Sequence, residues 1–159
     1  IFLELQGKGA NNINLVTPTH FVPQIIRALQ SAKEQGMYLP VVYNTGGYER
    51  VETLKMLDGL VDIYLPDFKY LNTDHAKKYS MAEDYPEPVF DERGMMKRGV
   101  IVRHLLLPGC LADGKRVVKY LHETYGNRIY MSLMSQYTPL ESLDAVKYPE
   151  LNRKVPEYA

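Results

Sequence analysis

The feature that most constrains this chain is a regular exchange of short strand-like runs with amphipathic helical runs. "NINLV" (12–16), "YLPVVYN" (38–44), "VDIYLPD" (61–67), "GVIVRHLLLPG" (99–109) and "RIYMSLM" (128–134) are rich in β-branched, aliphatic and aromatic residues. Between them, "HFVPQIIRALQSAKEQG" (20–36) places Val22, Ile25, Ile26 and Leu29 at helical spacing, with Gly36 as a stop. "ERVETLKMLDG" (49–59) puts Val51, Leu54 and Leu57 on one stripe, "DHAKKYS" (74–80) reads as a short helix capped by Asn72 or Thr73, and "DGKRVVKYLHETYG" (113–126) as a helix ending at Gly126. Repeated βα units of this kind predict an α/β fold with a parallel sheet and right-handed crossovers.

One linkage breaks the rhythm. Between Tyr70 and Gly99 stand only the short helix and "SMAEDYPEPVFDERGMMKRG". A parallel crossover carries a helix long enough to cover the sheet, and long structureless connections are uncommon. "DYPEPVFDERG" itself reads as loop, so a helical segment is expected to be missing from the sequence near Tyr85–Pro88. The other reading is a genuine long loop. The ends are expected to be cuts in a longer chain: "IFLELQGKGA" reads as the last turns of a helix running into a glycine stop, and "NRKVPEYA" as the approach to another helix. The 159 residues then form a single fragment of one barrel-type domain.

Composition narrows the function classes. Lys and Arg balance Asp and Glu, 19 against 19, so no basic face is implied and nucleic-acid or anionic-membrane binding has no compositional support. No apolar run is long enough to span a bilayer, and no signal peptide is evident. The single cysteine, Cys110, excludes an internal disulfide and any thiolate metal cluster built within this chain, and it suits a reducing, cytoplasmic setting.

The polar residues of interest fall where strands end. "TPTH" (Thr17 to His20) follows the first strand, "NTGGYE" (Asn44 to Glu49) the second, Asp67 and Lys69 the third, and "SQYTP" (Ser135 to Pro139) the fifth. In parallel α/β proteins the carboxyl ends of the strands are where ligands bind. Side chains two apart on a strand share a face, so Asp67 and Lys69 project together if the extended geometry persists. The ordinary alternative is a surface ion pair or a helix cap. Arg103 is less ordinary, because a charge within "VIVRHLLL" is costly to bury unless paired. A structural ion pair with Asp67 accounts for it without any ligand. Arg103 and His104 face opposite ways, so one of them at most lines a barrel interior, and His104 is the one expected to pack against a helix. Gly46 and Gly47 allow a sharp turn or close approach to a ligand, but "TGG" alone is a weak phosphate signal. His20 sits near a helix start as an ordinary neutral imidazole, and Cys110, after "LPG", reads as a small loop residue ahead of a reactive thiol.

Taken together and in order, "VVYNTGGYE", "VDIYLPDFKYLN" and "VIVRHLLLPG" resemble the radical S-adenosylmethionine enzymes of the pyruvate formate-lyase activating type. "NINLVTPTH" and "QYTP" resemble an activase-like branch of iron–sulfur proteins within it. The resemblance covers nearly the whole chain; each motif is modest and the ordered set is more specific. It implies parallel βα repeats forming part of a partial (βα)6 TIM-like barrel. It also implies an enzyme in which a 4Fe-4S cluster binds S-adenosylmethionine and cleaves it reductively to a 5′-deoxyadenosyl radical. That radical abstracts hydrogen from the substrate, in activases from a glycine of a glycyl radical enzyme, with flavodoxin or ferredoxin as electron donor.

Residue by residue, the resemblance sets Asn44, Thr45 and Gly46 in the family's Asp-Thr-Asn-Gly turn, and Asp67 and Lys69 on its Asp-x-Lys pair. It sets Arg103 on its strand arginine before Pro-Gly, and Gln136 and Tyr137 near its last-strand polar position. Arg103 and Lys69 suit the cofactor's carboxylate, Asp67 its ammonium or hydroxyls, and Thr45 or Gln136 a ribose hydroxyl. Two departures stand against this. The family's Gly-Gly-Glu is replaced by "TPTH", for which Thr17 and Thr19 substitute only in part. The C-x3-C-x2-C cluster motif is absent, so its ligands are expected upstream of Ile1, and the fragment alone is expected to be inactive. Two other readings remain: a Schiff-base (βα)-barrel lyase using Lys69, and a barrel without a cluster that binds a ligand or partner.

Overall fold

The computed structural model describes residues 1–47, 49–68, 89–90, 96–139, 141, 146 and 149–155, with only the backbone at 89–90, 96–97 and 150. Lys69, Asn72, Thr73, the helix expected over 74–80 and the stretch Tyr85–Pro88 lie outside the described residues.

The described elements follow the βα rhythm. Helix α1 (Phe2–Gly7) leads into β1 (Ile13–Val16), and a 3-10 turn (Thr19–Phe21) then opens α2 (Val22–Glu34). Next come β2 (Val41–Thr45), α3 (Val51–Met56) and β3 (Ile63–Pro66). A two-residue strand β4 (Val89–Phe90), the long β5 (Met96–Leu105), α4 (Leu111–Tyr125) and β6 (Tyr130–Met134) complete the main elements among the described residues. Pro23 suits the first turn of α2, where its missing N–H has no intrahelical acceptor to serve. Gly126, at φ +54°, ends α4.

Five strands form a parallel array in the order β1, β2, β3, β5, β6. The register places Val42 beside Ile63, Ile63 beside Gly99, and Arg103 beside Ser132. The alternating βα units and the parallel sheet expected from the sequence are therefore present. The element ends differ by a few residues: the fourth expected strand starts at Met96 rather than Gly99 and stops at Leu105, and the helix after it starts at Leu111. One element was not expected. Val89–Phe90, inside a stretch read as loop, pairs antiparallel with the start of β5. Two residues are too few to show an alternating pattern, so only pairing with β5 reveals them as a strand.

The helix-facing side of the sheet carries the core. Val41 and Tyr43 of β2 pack with Leu29 of α2 and with Leu57, all fully buried. Val100 and Val102 of β5 pack with Val117 and Leu121 of α4. Each such buried aliphatic or aromatic side chain contributes about 1.5–3 kcal/mol. Asp62 adds a polar tie at the other end of the sheet: its Oδ2 accepts the Val41 N–H at 2.8 Å, while its carbonyl accepts from Gly99. Among the described residues, no helix is long and apolar enough to cross a membrane.

Candidate functional site

Strand pleating sorts the polar residues onto two faces. In register, Asn44 lies beside Leu65, and Asp67 bridges to Arg103 just past the end of β3. Asn44, Asp67 and Arg103 thus share the side of the sheet opposite α2 and α4, at the carboxyl ends of three adjacent parallel strands. Thr45 and His104 lie on the helix-facing side.

Arg103 is the centre of this face. Its Nη2 lies 2.6 Å from Asp67 Oδ1 and donates to Asn44 Oδ1 at 2.7 Å. The two charged side chains are 27% and 22% exposed, so the pair is neither a surface bridge nor fully dry. Backbone bonds fix the alignment: Phe68 N–H donates to the Arg103 carbonyl at 2.8 Å and Asp67 N–H to the Thr45 carbonyl at 3.0 Å. Arg103 Nε is buried and has no hydrogen-bond partner among the described residues. A buried donor left unpaired costs about 1–3 kcal/mol, which an incoming acceptor would recover.

The β2–α3 turn closes on this pair. Gly47, at φ +82°, brings its backbone so near that a Cβ there would sit 2.7 Å from the Asp67 carbonyl oxygen. Its N–H donates to Thr45 Oγ1 at 3.1 Å. The buried Thr45 hydroxyl therefore serves the turn, on the opposite side of the strand from Arg103.

Thr17 is exposed and holds φ +49°, rare for a β-branched residue, with its N–H donating to the Asn44 carbonyl at 2.8 Å. Thr19 turns elsewhere: its hydroxyl donates to Glu49 Oε1 at 2.6 Å. Glu49 is only 7% exposed, and the Tyr43 hydroxyl approaches the same oxygen at 3.5 Å. Burial, then the Glu49 charge, pushes the Tyr43 phenol up to about 12. The sequence marks Thr19 and Glu49 as polar residues at two strand ends, but carries no signal that they bond to each other. Gln136 is exposed, two residues past β6, and Tyr137 follows half-buried. The structure thus joins Asn44, Asp67 and Arg103, brings Thr17 against the Asn44 backbone, and directs Thr19 and Thr45 to structural hydrogen bonds. Lys69 lies outside the described residues.

On the helix-facing side, His104 is 5% exposed, with Nδ1 2.7 Å from the Phe68 carbonyl oxygen. A carbonyl only accepts, so Nδ1 carries the proton, and Nε2 points toward α4 without a partner among the described residues. Gly114 makes room for the ring: a Cβ there would lie 3.2 Å from Nε2. Among the described residues no three His, Cys, Asp or Glu side chains converge to hold a metal ion.

No family model matches the chain, and no solved structure matches it. The chain is similar to a protein of Methanocaldococcus jannaschii described as "Uncharacterized protein MJ0674", 29% identical over 150 residues. The match covers 92% of the chain and 43% of that relative, so the chain spans well under half of its relative's length.

Proposed function

We propose that this chain is the cofactor-gripping part of a radical S-adenosylmethionine enzyme of the pyruvate formate-lyase activating type, built on a partial (βα)6 barrel. The observation that carries the reading is Arg103. It is a cation inside an apolar strand, steered by Asp67 and Asn44 to the carboxyl ends of three parallel strands, with Nε unpartnered among the described residues. These groups fit the cofactor's polar end. The guanidinium suits its carboxylate, and the Asp67 carboxylate its ammonium or a hydroxyl. Thr17 and Gln136 are exposed at neighbouring strand ends, where a hydroxyl or an amide suits the ribose. Thr45 and Thr19 act one step back, holding the turn and the loop that border the site.

Bound S-adenosylmethionine, once reductively cleaved, supplies the hydrogen-abstracting group in such enzymes; the chain's own residues orient it and keep water out. The 4Fe-4S cluster does not fit the residues present, because one cysteine cannot supply three thiolates, and its ligands would have to lie outside these 159 residues. The glycyl radical enzyme as substrate, and flavodoxin or ferredoxin as donor, belong to the same proposal for the whole protein.

Calorimetric titration of the natural full-length polypeptide with S-adenosylmethionine tests the reading. Arg103→Ala is expected to weaken binding by about tenfold or more, and Arg103→Lys by less, since a charged hydrogen bond contributes about 1.5–3 kcal/mol. No binding by the natural protein, or equal affinity in Arg103→Ala, would overturn it.

A further inference from the structure

A groove of about 430 Å³ opens on the helix-facing side of the sheet, between α4 and β6. Its lining is mostly apolar and includes Leu106, Val118 and Leu133. Leu133 aligns with His104 across the strands, so it belongs to the face that α2 and α4 cover elsewhere, yet it is 59% exposed. Parallel sheets are covered by helices on the faces that crossovers run along, and among the described residues that layer stops at α4.

The rim distinguishes what would complete it. Lys115, Lys119 and His122 are exposed and stand at positions i, i+4 and i+7 of α4, beside Val118. They form a line about 10 Å long at 1.5 Å per residue. No carboxylate lines the groove among the described residues, and Lys119 has only a loose approach to Glu123, at 3.8 Å. A small anionic ligand calls for cations that converge on one point, whereas these run parallel to the helix axis. A second helix lying beside α4 would present side chains in the same spacing.

We propose that this groove seats an amphipathic helix of the same polypeptide, with apolar residues on Leu106, Val118 and Leu133 and acidic residues opposite Lys115 and Lys119. Consecutive elements in such folds lie adjacent, which favours a source in the same polypeptide over a separate protein. The Methanocaldococcus relative is more than twice as long as its matched segment, so a protein of that size has chain available for such a helix. The inference does not depend on the cofactor reading, since the groove and the Arg103 site lie on opposite faces.

The test is zero-length carbodiimide cross-linking of the dilute natural full-length polypeptide, read by mass spectrometry, with Lys119–Glu123 as internal control. Expected are further links from Lys115 or Lys119 to acidic residues three or four apart in one segment of the same molecule. Leu133→Asp should cut those links by about tenfold, corresponding to about 1.4 kcal/mol, while the control link persists. Should Leu133→Asp not fold, charge reversal at Lys115 alone replaces it, which leaves the Lys119–Glu123 control in place. That variant should melt a few degrees lower, and Arg27→Glu, at an exposed position of α2, should not. The control link with no others, links between isotopically light and heavy copies, links indifferent to Leu133→Asp, or equal melting of the charge variants would each overturn the proposal.

Discussion

Arg103 and Asp67 face each other across adjacent parallel strands, Nη2 2.6 Å from Oδ1, and Asn44 accepts from the same nitrogen. A half-buried cation is thereby shared between an anion and an amide from two other strands. Removing either charge leaves the other in a site built for a pair. Asp67→Ala or Arg103→Met alone should destabilise the protein by about 1–3 kcal/mol. The double variant should cost less than the sum, by about 0.5–3 kcal/mol of coupling. Urea unfolding of the four proteins measures this, and strict additivity would mean that the pair contributes nothing in solution.

Gly47 and Gly36 separate backbone strain from collision. Both hold positive φ, +82° and +91°, but a Cβ on Gly36 meets nothing within 4 Å, whereas on Gly47 it meets the Asp67 carbonyl oxygen at 2.7 Å. Gly36→Ala should cost about 1–2 kcal/mol, the left-handed penalty alone. Gly47→Ala should cost more, because a backbone oxygen cannot rotate away, and under the proposed cofactor reading it should also weaken S-adenosylmethionine binding by displacing Asp67. Thermal melting and calorimetry report the two effects; equal melting temperatures for the two variants would refute the collision.

The raised Tyr43 phenol has a pH signature. Its folded value is about 12 against 10.0 for a free tyrosine, so the folded protein holds this proton more tightly than the unfolded chain. The associated stability is complete below pH 10 and is lost as pH rises from 10 toward 12. Tyr43→Phe should flatten stability over that window. Urea midpoints at pH 9 and 11.5 test this, and an unchanged slope in the variant would assign the loss to other groups.

The Thr19–Glu49 bond, at 2.6 Å, and the Tyr43–Glu49 approach, at 3.5 Å, differ enough to rank. Thr19→Val should cost about 1.5–3 kcal/mol, as loss of a bond to a charged acceptor does. Below pH 10 Tyr43→Phe should cost well under that through the Glu49 contact, because a bond at that distance is weak. Chemical denaturation at neutral pH reads both, and the reverse order would show that Glu49 leans on the tyrosine.

The sequence by itself determined what local periodicity can express. Alternating apolar residues and helical stripes specified the βα units, and the pleat alone set Arg103 and His104 on opposite faces. The cost of burying a charge required a partner for Arg103, and Asp67 was legible as one because it ends a neighbouring strand. Tertiary structure decided the rest. Asn44 reaches Arg103 across 59 residues, and Glu49 reaches Thr19 across 30. Such contacts depend on which strands pair and in what register, and no short stretch of sequence encodes that. Val89–Phe90 becomes a strand only through β5. The hydroxyls of Thr19 and Thr45, free donors on paper, are taken by Glu49 and by the Gly47 turn, because buried polar atoms and turn amides must find partners nearby.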